Sequence, residues 1–328
     1  MTHNLKKLLC CEADYRPLRI IMKNDRFVSW AIFIVLCIIW GSSFILMKAS
    51  KDELTWAQIA SLRIFSAGAV MLPFAFFYFL KIPGKKMPLV ILSAICGNLL
   101  PAYLFAGAIA KNIDSSLAGI LNSLTPICVV VTGLLFFRSK IEGRKILGVL
   151  IGFAGLALLT LASKKGISFE NVEYTLWILL ATILYGFNIN IVGYYLKDID
   201  AIHLAVVSIT FMMVPTGIVL WQQNFLQLPF DNDDTLLAVI NSVMLGVAGT
   251  AIATALFYVL VKKAGGLFAS LVTYGIPFIA LAWGFVFGEN ITWLQIVCLG
   301  IILVGVYLAN MPGKKGTASA PELEIESN

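Results

Sequence analysis

The chain has 328 residues, of which 59% are hydrophobic and 13% charged, and its formal net charge is +6. So apolar a composition exceeds what the core of a soluble protein can bury, and it excludes a soluble enzyme or a nucleic-acid-binding domain in favour of a membrane protein. The six cysteines are scattered, with no spacing that indicates a metal site or a disulfide framework. We therefore expect no metal and no cofactor.

In chain order, a basic tail over residues 1–27 comes first, and it lacks the apolar region and cleavage site of a signal peptide. Apolar stretches of roughly 18 to 25 residues follow, each long enough to cross a bilayer. They lack the period-two alternation of barrel strands, which predicts an all-α membrane protein. The predicted transmembrane helices, ten in number, cover residues 28–48, 56–80, 87–109, 115–137, 145–162, 174–196, 201–221, 235–261, 267–288 and 291–311.

The orientation of these spans follows from the lysines and arginines in the loops, since basic loops stay cytoplasmic. With the N-terminus inside, ten basic loop residues fall on the cytoplasmic side and five on the outer side. The basic tails, 1–27 and 312–328, also fall inside. The sequence thus predicts a protein of the cytoplasmic (inner) membrane, surrounded by lipid, with both termini in the cytoplasm.

The predicted spans divide into two similar halves, residues 28–163 and 174–311. Trp40-Gly41 corresponds to Tyr185-Gly186, Pro73 corresponds to Pro215, and glycine-rich sequences close both halves. Because each half has an odd number of spans, the second copy must be inverted in the membrane. The prediction is two inverted five-helix repeats, with a site at mid-depth where they meet.

Two prolines mark the expected site. Pro126 lies within the fourth span and Pro277 at the matching depth of the ninth. Proline removes a backbone donor, so we expect each helix to be kinked or unwound there. Paired broken helices are typical of the binding sites of internally duplicated carriers.

Four short motifs carry a resemblance to a known family: WGSSF at Trp40–Phe44, Arg63 in span two, SLTP at Ser123–Pro126, and Gly288-Glu289 closing span nine. Together they resemble the EamA branch of the drug/metabolite transporter superfamily over residues 28–311. The resemblance implies a ten-helix, inverted-repeat carrier of small metabolites, often an exporter of amino acids or related compounds. One departure is Arg138, which stands where the family usually has an acidic residue closing span four.

Helical spacing places polar and aromatic side chains of several spans at similar depths. These candidate solute-binding residues are Trp40, Ser43, Asn98, Asn122, Tyr185, Asn188, Thr254, Tyr258, Thr273 and Tyr274. Such a lining suits a neutral or zwitterionic solute with an apolar body, and suits a phosphorylated dianion poorly. The alternative is that the amides and phenols are hydrogen-bonded links between helices.

Arg63 is the remaining candidate, roughly 12 Å into span two at 1.5 Å per residue. An ionisable residue at membrane depth suggests function, and a guanidinium facing a cavity would suit a carboxylate. The alternative is that Arg63 reaches the outer headgroups, or pairs with Asp52 or Glu53.

The function predicted from these features is a carrier for a small neutral or zwitterionic metabolite, working by alternating access as an exporter or uniporter. Asp and Glu residues fall in tails, loops or helix ends, so proton coupling is not expected. An exporter of lipophilic toxic compounds is the first alternative; an intramembrane enzyme and a receptor or assembly subunit are others. Gly148 and Gly152 have the spacing for close helix packing, either within the chain or across a homodimer.

Overall fold

The structure is a computed structural model that describes residues 15–111, 118, 121–139, 141–161, 172–286 and 292–311. Within those residues every regular element is helical. The α-helices are α1 (Tyr15–Ser50), α2 (Trp56–Tyr78), α3 (Met87–Ala94), α4 (Leu100–Ala110), α5 (Thr125–Phe136), α6 (Gly143–Leu161), α7 (Val172–Tyr194), α8 (Ala201–Gln222), α9 (Asp233–Gly246), α10 (Ala253–Ala264), α11 (Gly266–Ser270), α12 (Val272–Val286) and α13 (Trp293–Asn310). Short π-helical segments, Ile95–Leu99 and Val247–Ile252, join α3 to α4 and α9 to α10.

The helix α1 begins earlier than the sequence indicated. It starts at Tyr15, so the second half of the predicted tail is helical. Its one early proline, Pro17, lies in the first turn, where a missing N–H costs nothing because that donor has no intrahelical partner. At 1.5 Å per residue the helix is roughly 54 Å long, well beyond the roughly 30 Å hydrocarbon core of a bilayer.

The surface of the bundle is apolar, as expected of a protein solvated by lipid, and the mostly hydrophobic interior also contains polar side chains. Phe76, Leu80 and Trp221 are among many large hydrophobic side chains that are mostly exposed, whereas Asn188 and Ser93 are buried. Six helical stretches are long and apolar enough to cross a membrane, and three shorter apolar helices accompany them. The chain is therefore an all-helical, multi-pass membrane protein.

Two helix pairs form the most extensive contacts, α2 with α8 and α6 with α13. Both α2 and α8 have a side-chain cap, from Thr55 and Asp200 respectively, that satisfies otherwise unpaired amide groups of the first turn. Where these helices meet, Gly68 lies against Met213. Small residues at such crossings let two backbones approach closely.

The α6–α13 contact is a glycine seam formed by Gly148, Gly152 and Gly155 of α6 against Ile302, Gly305 and Ala309 of α13. A Cβ atom placed on Gly305 would lie 2.6 Å from the Cα of Gly152, so nothing larger than hydrogen fits there. Gly148 and Gly152 therefore pack within the chain, as the scaffold interpretation of their spacing predicts.

Hydrogen bonds between described residues near helix ends mark the two opposite ends of the bundle. At one end, Lys86 Nζ contacts Asp198 and donates to the carbonyl of Tyr195 at 3.0 Å, and Lys262 Nζ donates to the carbonyl of Leu196 at 3.2 Å. At the other end, Gln58 Nε2 donates to the carbonyl of Gln223 at 3.0 Å. We refer to these as the Lys86 end and the Gln223 end.

Arg138 closes α5 through its backbone. Its φ of 51° is in the left-handed region, and the amide of Ser139 donates to the carbonyl of Gly133 at 3.0 Å. This is a helix terminus of the left-handed type, which caps carbonyls without any side chain. An acidic side chain is thus not needed to end this helix, while its counterpart Glu289 is outside the described residues.

Candidate functional site

The two π-helical segments were not predicted, and they shape the centre of the molecule. Pro101 follows the first one closely and cannot donate to the carbonyl of Gly97, which favours a widened turn. In the second, the carbonyl of Gly249 accepts from the Trp40 indole at 3.0 Å and from Arg63 at 3.4 Å. Widened turns of this kind are frequent at functional sites, because they turn backbone carbonyls away from the helix.

The interruption near Pro126 falls where it was predicted. Ser123 and Leu124 form a turn, α5 begins at Thr125, and Pro126 lies in its first turn. The hydroxyl of Thr125 donates to the carbonyl of Asn122 at 2.5 Å, so the interruption is closed by a side chain.

The helix that contains Pro277 is also interrupted, but not at the proline itself. Pro277 lies inside α12, and the helix is interrupted at Leu271, six residues earlier. Ser270 donates to the carbonyl of Leu267 at 2.7 Å, and Thr273 donates to the carbonyl of Ser270 at 3.0 Å. These hydroxyls bind backbone carbonyls that would accept hydrogen bonds from backbone amides in a continuous helix. This competition favours a turn at this point.

A central cavity of about 120 Å³ lies beside these interruptions. It is bounded by residues from both halves of the chain. The predicted candidates that line it are Trp40, Ser43, Arg63, Asn98, Asn122, Tyr185, Asn188, Thr254, Tyr258 and Thr273. The structure thus brings these side chains together, while their role in binding stays a prediction.

Tyr274 does not belong to this lining. Its side chain is fully buried, its ring lies against Gly152, and its hydroxyl donates to the carbonyl of Val149 at 2.9 Å. Successive residues of a helix point about 100° apart, and of these two neighbours Thr273 lines the cavity while Tyr274 does not. Tyr274 instead joins α12 to α6.

Arg63 faces the cavity and does not reach the outer headgroups. Its Nε donates to the hydroxyl of Thr250 at 2.7 Å and a terminal nitrogen donates to the carbonyl of Gly249. Within the part of the chain that the structure describes, the ion pairs are Lys86–Asp198 and Arg144–Glu142, so Arg63 has no carboxylate there. The cavity therefore carries a fixed positive charge, contrary to the expected neutral lining.

Asn188 belongs to a buried hydrogen-bond network on the wall toward the Lys86 end. Its Oδ1 accepts from Ser93 Oγ at 2.6 Å and from the Tyr258 hydroxyl at 3.4 Å. These residues come from α7, α3 and α10. For Asn188, then, the alternative interpretation as a link between helices is supported by the geometry.

Two other asparagines on the wall have unused polar atoms. Among the described residues, neither Asn122 Oδ1 nor Asn98 Nδ2 has a hydrogen-bond partner, although both atoms are buried. Asn98 does accept from the Thr254 hydroxyl at 3.1 Å, so its side chain is held in place. Buried polar atoms without partners are costly, and at a cavity wall they point to a ligand or water.

Aromatic side chains supply apolar area on two walls. The Trp40 and Phe257 rings lie 5.3 Å apart and the Phe105 and Tyr185 rings lie 6.2 Å apart. The sequence analysis missed both phenylalanines. Helical spacing could have found them, because Phe257 lies one turn after Thr254 and Phe105 lies two turns after Asn98.

A second cavity, of about 360 Å³, adjoins the first and includes Thr55, Trp56 and Gln223. Met47 lines both cavities, so the second cavity lies beside the central one, on the side of the Gln223 end. At the opposite end, the Lys86 and Lys262 contacts bridge the helices. The two ends of the bundle therefore differ: hydrogen bonds join the helices at the Lys86 end, and the second cavity lies at the Gln223 end.

The described residues contain no group of three His, Cys, Asp or Glu side chains that could hold a metal ion. The lining of the central cavity includes no carboxylate among those residues. The arrangement provides hydrogen bonds, aromatic contact and one cation, which can bind and orient a small molecule.

Comparison with known proteins agrees with a transport role. The chain is 24% identical over 299 residues to an uncharacterized transporter of Synechocystis, covering 83% of this chain and 86% of that protein. It is 25% identical to an uncharacterized transporter of Archaeoglobus fulgidus, covering 85% and 97%. A WAT1-related chloroplastic protein of Arabidopsis thaliana is 24% identical, with coverage of 87% and 70%.

A solved crystal structure shares the fold. Its TM-score is 0.65 at 18% identity, and the match covers 86% of this chain and 96% of the other. The sequence profile of the EamA-like transporter family matches residues 28–161 and 173–311. Since these two stretches make up most of the chain, the protein is a membrane transporter that belongs to the EamA-like transporter family.

Proposed function

We propose that the protein is a carrier that moves a small amphipathic metabolite, such as an amino acid, across the cytoplasmic membrane by alternating access. The observation that carries this proposal is the central cavity, which is lined by helices of both halves and has buried polar atoms without partners among the described residues. Carriers with internal repeats bind their solutes at such a junction. The relatives named as transporters support the same class of activity.

The size of the cavity supports a small solute. A single water needs roughly 10–15 Å³ of such space, so a cavity of about 120 Å³ has room for roughly ten water-sized groups. This is the size of an amino acid. The two aromatic pairs would hold an apolar body, and the amides of Asn98 and Asn122 would orient its polar groups.

The proposed architecture is ten spans in two inverted repeats, with both termini cytoplasmic. Matched features in the two halves support the repeat: the paired π-helical segments, and a family profile that matches both stretches. Among the described residues, Lys86, Asp198 and Lys262 belong to connections that were predicted to be cytoplasmic, and they lie at one end of the bundle. With that orientation, the Lys86 end is cytoplasmic and the second cavity lies on the outer side.

A topology experiment tests this architecture. A reporter fused after Lys314 should be cytoplasmic, and one inserted at Asn232 should be external. If both reporters lie on the same side of the membrane, the inverted arrangement is wrong.

Export or equilibration down the solute gradient is the proposed direction, without proton coupling. A proton relay needs a titratable group at the site, and the described lining has no carboxylate. Vesicles with only a pH difference across the membrane should therefore not accumulate solute. Accumulation against the solute gradient would contradict this part of the proposal.

The central test is transport by the purified full chain in proteoliposomes. The vesicles are loaded with an equimolar mixture of amino acids, amino acid amides, short monocarboxylates and nucleosides, and the released solutes are measured by mass spectrometry. We expect release of at least one class above that of protein-free vesicles. Release equal to that of protein-free vesicles for every class would overturn the proposed function.

A further inference from the structure

We propose that Arg63, held in position by Thr250, forms a carboxylate subsite, and that the transported solute carries one carboxylate group that binds there. This inference rests on the proposed function and adds the chemical class of the solute. Arginine does not lose its proton in a protein, so the Arg63 guanidinium places a permanent positive charge in the cavity.

The position of this charge is fixed. Thr250 belongs to the π-helical segment Val247–Ile252, and its hydroxyl accepts from Arg63 Nε at 2.7 Å. The carbonyl of Gly249 accepts a longer bond from a terminal nitrogen, at 3.4 Å. Both contacts come from one widened turn, so the turn sets the orientation of the planar guanidinium.

The charge is not neutralised by the described part of the protein. Arg63 has two hydrogen bonds there, both to uncharged groups, and a guanidinium has five donors. Glu53, one of the two acids that the sequence suggested as partners, accepts instead from the Thr235 hydroxyl at 3.0 Å. Charges in a poorly solvated site need a counter-charge, and the solute can provide one.

The surroundings select which anion fits. Arg63 and Trp40 both donate to the carbonyl of Gly249, so the guanidinium lies next to the Trp40–Phe257 aromatic wall. A carboxylate on Arg63 would thus place an apolar body against these rings. A phosphate dianion would need a second cation, and Arg63 is the one charged side chain in the described lining.

The test uses the proteoliposomes and the solute mixture described above. Wild-type protein should release amino acids or monocarboxylates and retain the matching amides, for example leucine over leucinamide. Arg63→Gln should lower the release of carboxylates about tenfold or more, because a charge-assisted hydrogen bond is lost. Arg63→Lys keeps the charge without the planar fork, so its release should be intermediate.

Arg26→Gln is the matched control, since Arg26 is exposed on α1 and far from the cavity lining in sequence. It should behave as wild type. If wild-type protein releases amides or nucleosides as readily as carboxylates, the subsite is wrong and the proposed function stands. This ratio is measured on wild type alone, so it decides the matter even if Arg63→Gln does not fold.

Unchanged carboxylate release by a folded Arg63→Gln protein would also overturn the subsite. Release of no solute class by the wild type, by contrast, would overturn the proposed function and the subsite with it. The two failures are therefore distinguishable.

Discussion

The glycine seam and the central cavity are two solutions to helix packing in one bundle. At the seam, Gly148 and Gly305 bring two backbones together with no room for a side chain. At the cavity, π-helical turns and interrupted helices keep the helices apart and leave polar atoms without partners. This difference distinguishes a rigid part of the molecule from a part that has room to bind a solute.

The strongest test of this contrast is a side chain in the seam. Gly305→Leu should prevent close packing of α6 and α13, because overpacking against backbone atoms costs about 1–3 kcal/mol or more. We expect a large loss of monodisperse protein in detergent. Gly300→Leu is the matched control on the same helix, since a Cβ there meets no atom within 4 Å. Equal yields of the two variants would show that the seam is not tightly packed.

A smaller loss of stability is expected for Asn188→Ala. This change removes the acceptor shared by Ser93 and Tyr258. Hydrogen bonds between membrane helices are worth about 0.6 kcal/mol on average and up to about 1.7, so a lower thermal midpoint should be measurable. Transport should fall along with the folded fraction. An unchanged midpoint would mean that the network does not join these helices.

Asn122→Ala is the counterpart of Asn188→Ala at the cavity, and it should leave the stability of the protein unchanged. Asn122 Oδ1 has no partner among the described residues, so its removal deletes no hydrogen bond there. If the solute uses this atom, apparent affinity should fall about fivefold, corresponding to about 1 kcal/mol. Counterflow measured over a range of solute concentrations gives the affinity. A lower thermal midpoint with unchanged affinity would assign Asn122 to the scaffold.

The smallest effect is expected at the Lys86 end. The hydrogen bond from Lys86 lowers the pKa of the Asp198 carboxyl below its ordinary value. A lowered folded-state pKa gives stability that is present above the ordinary value of 3.8 and is lost as the pH falls through the folded-state value. The Asp198 side chain is exposed to solvent, so the contribution should be slight.

We therefore expect Asp198→Asn to lower the thermal midpoint slightly at pH 7 and to match wild type once the carboxyl is protonated. Lys86→Gln should reproduce the effect at pH 7, and the double variant should add nothing to it. A difference between Asp198→Asn and wild type that persists at a pH where the wild-type Asp198 carboxyl is protonated would point to a contact other than the one with Lys86.

Helix positions were accessible from the sequence because length and hydrophobicity decide them in a membrane. The bounds of α2, α8 and α13 lie within about three residues of the predicted spans. The interruption before Pro126 was also predictable, since proline has a fixed local effect. The turn at Leu271 was not, because it depends on the hydroxyls of Ser270 and Thr273 competing for carbonyls.

The candidate lining was largely predictable from depth and helical spacing, with limits that have a physical reason. Depth alone could not decide whether Arg63 faces lipid or cavity, because its partner Thr250 is 187 positions away in the chain. Tyr274 has the depth of a lining residue, but it points toward Gly152. Which way a side chain points depends on the neighbouring helix, and spacing within one helix does not contain that information.

The widened turns constrain how the length of this chain can change. A π-helical turn holds an extra residue relative to an α-helix, and each residue of an α-helix advances the rotation by about 100°. Deleting one residue within Ile95–Leu99 would leave an ordinary α-helical turn with nearly the same rotation, so Phe105 should stay on the cavity wall. Deleting one residue within α4 itself would instead rotate every later residue of that helix by that angle. Single deletions should therefore be tolerated at the widened turns and rejected within the regular helices that carry the cavity lining.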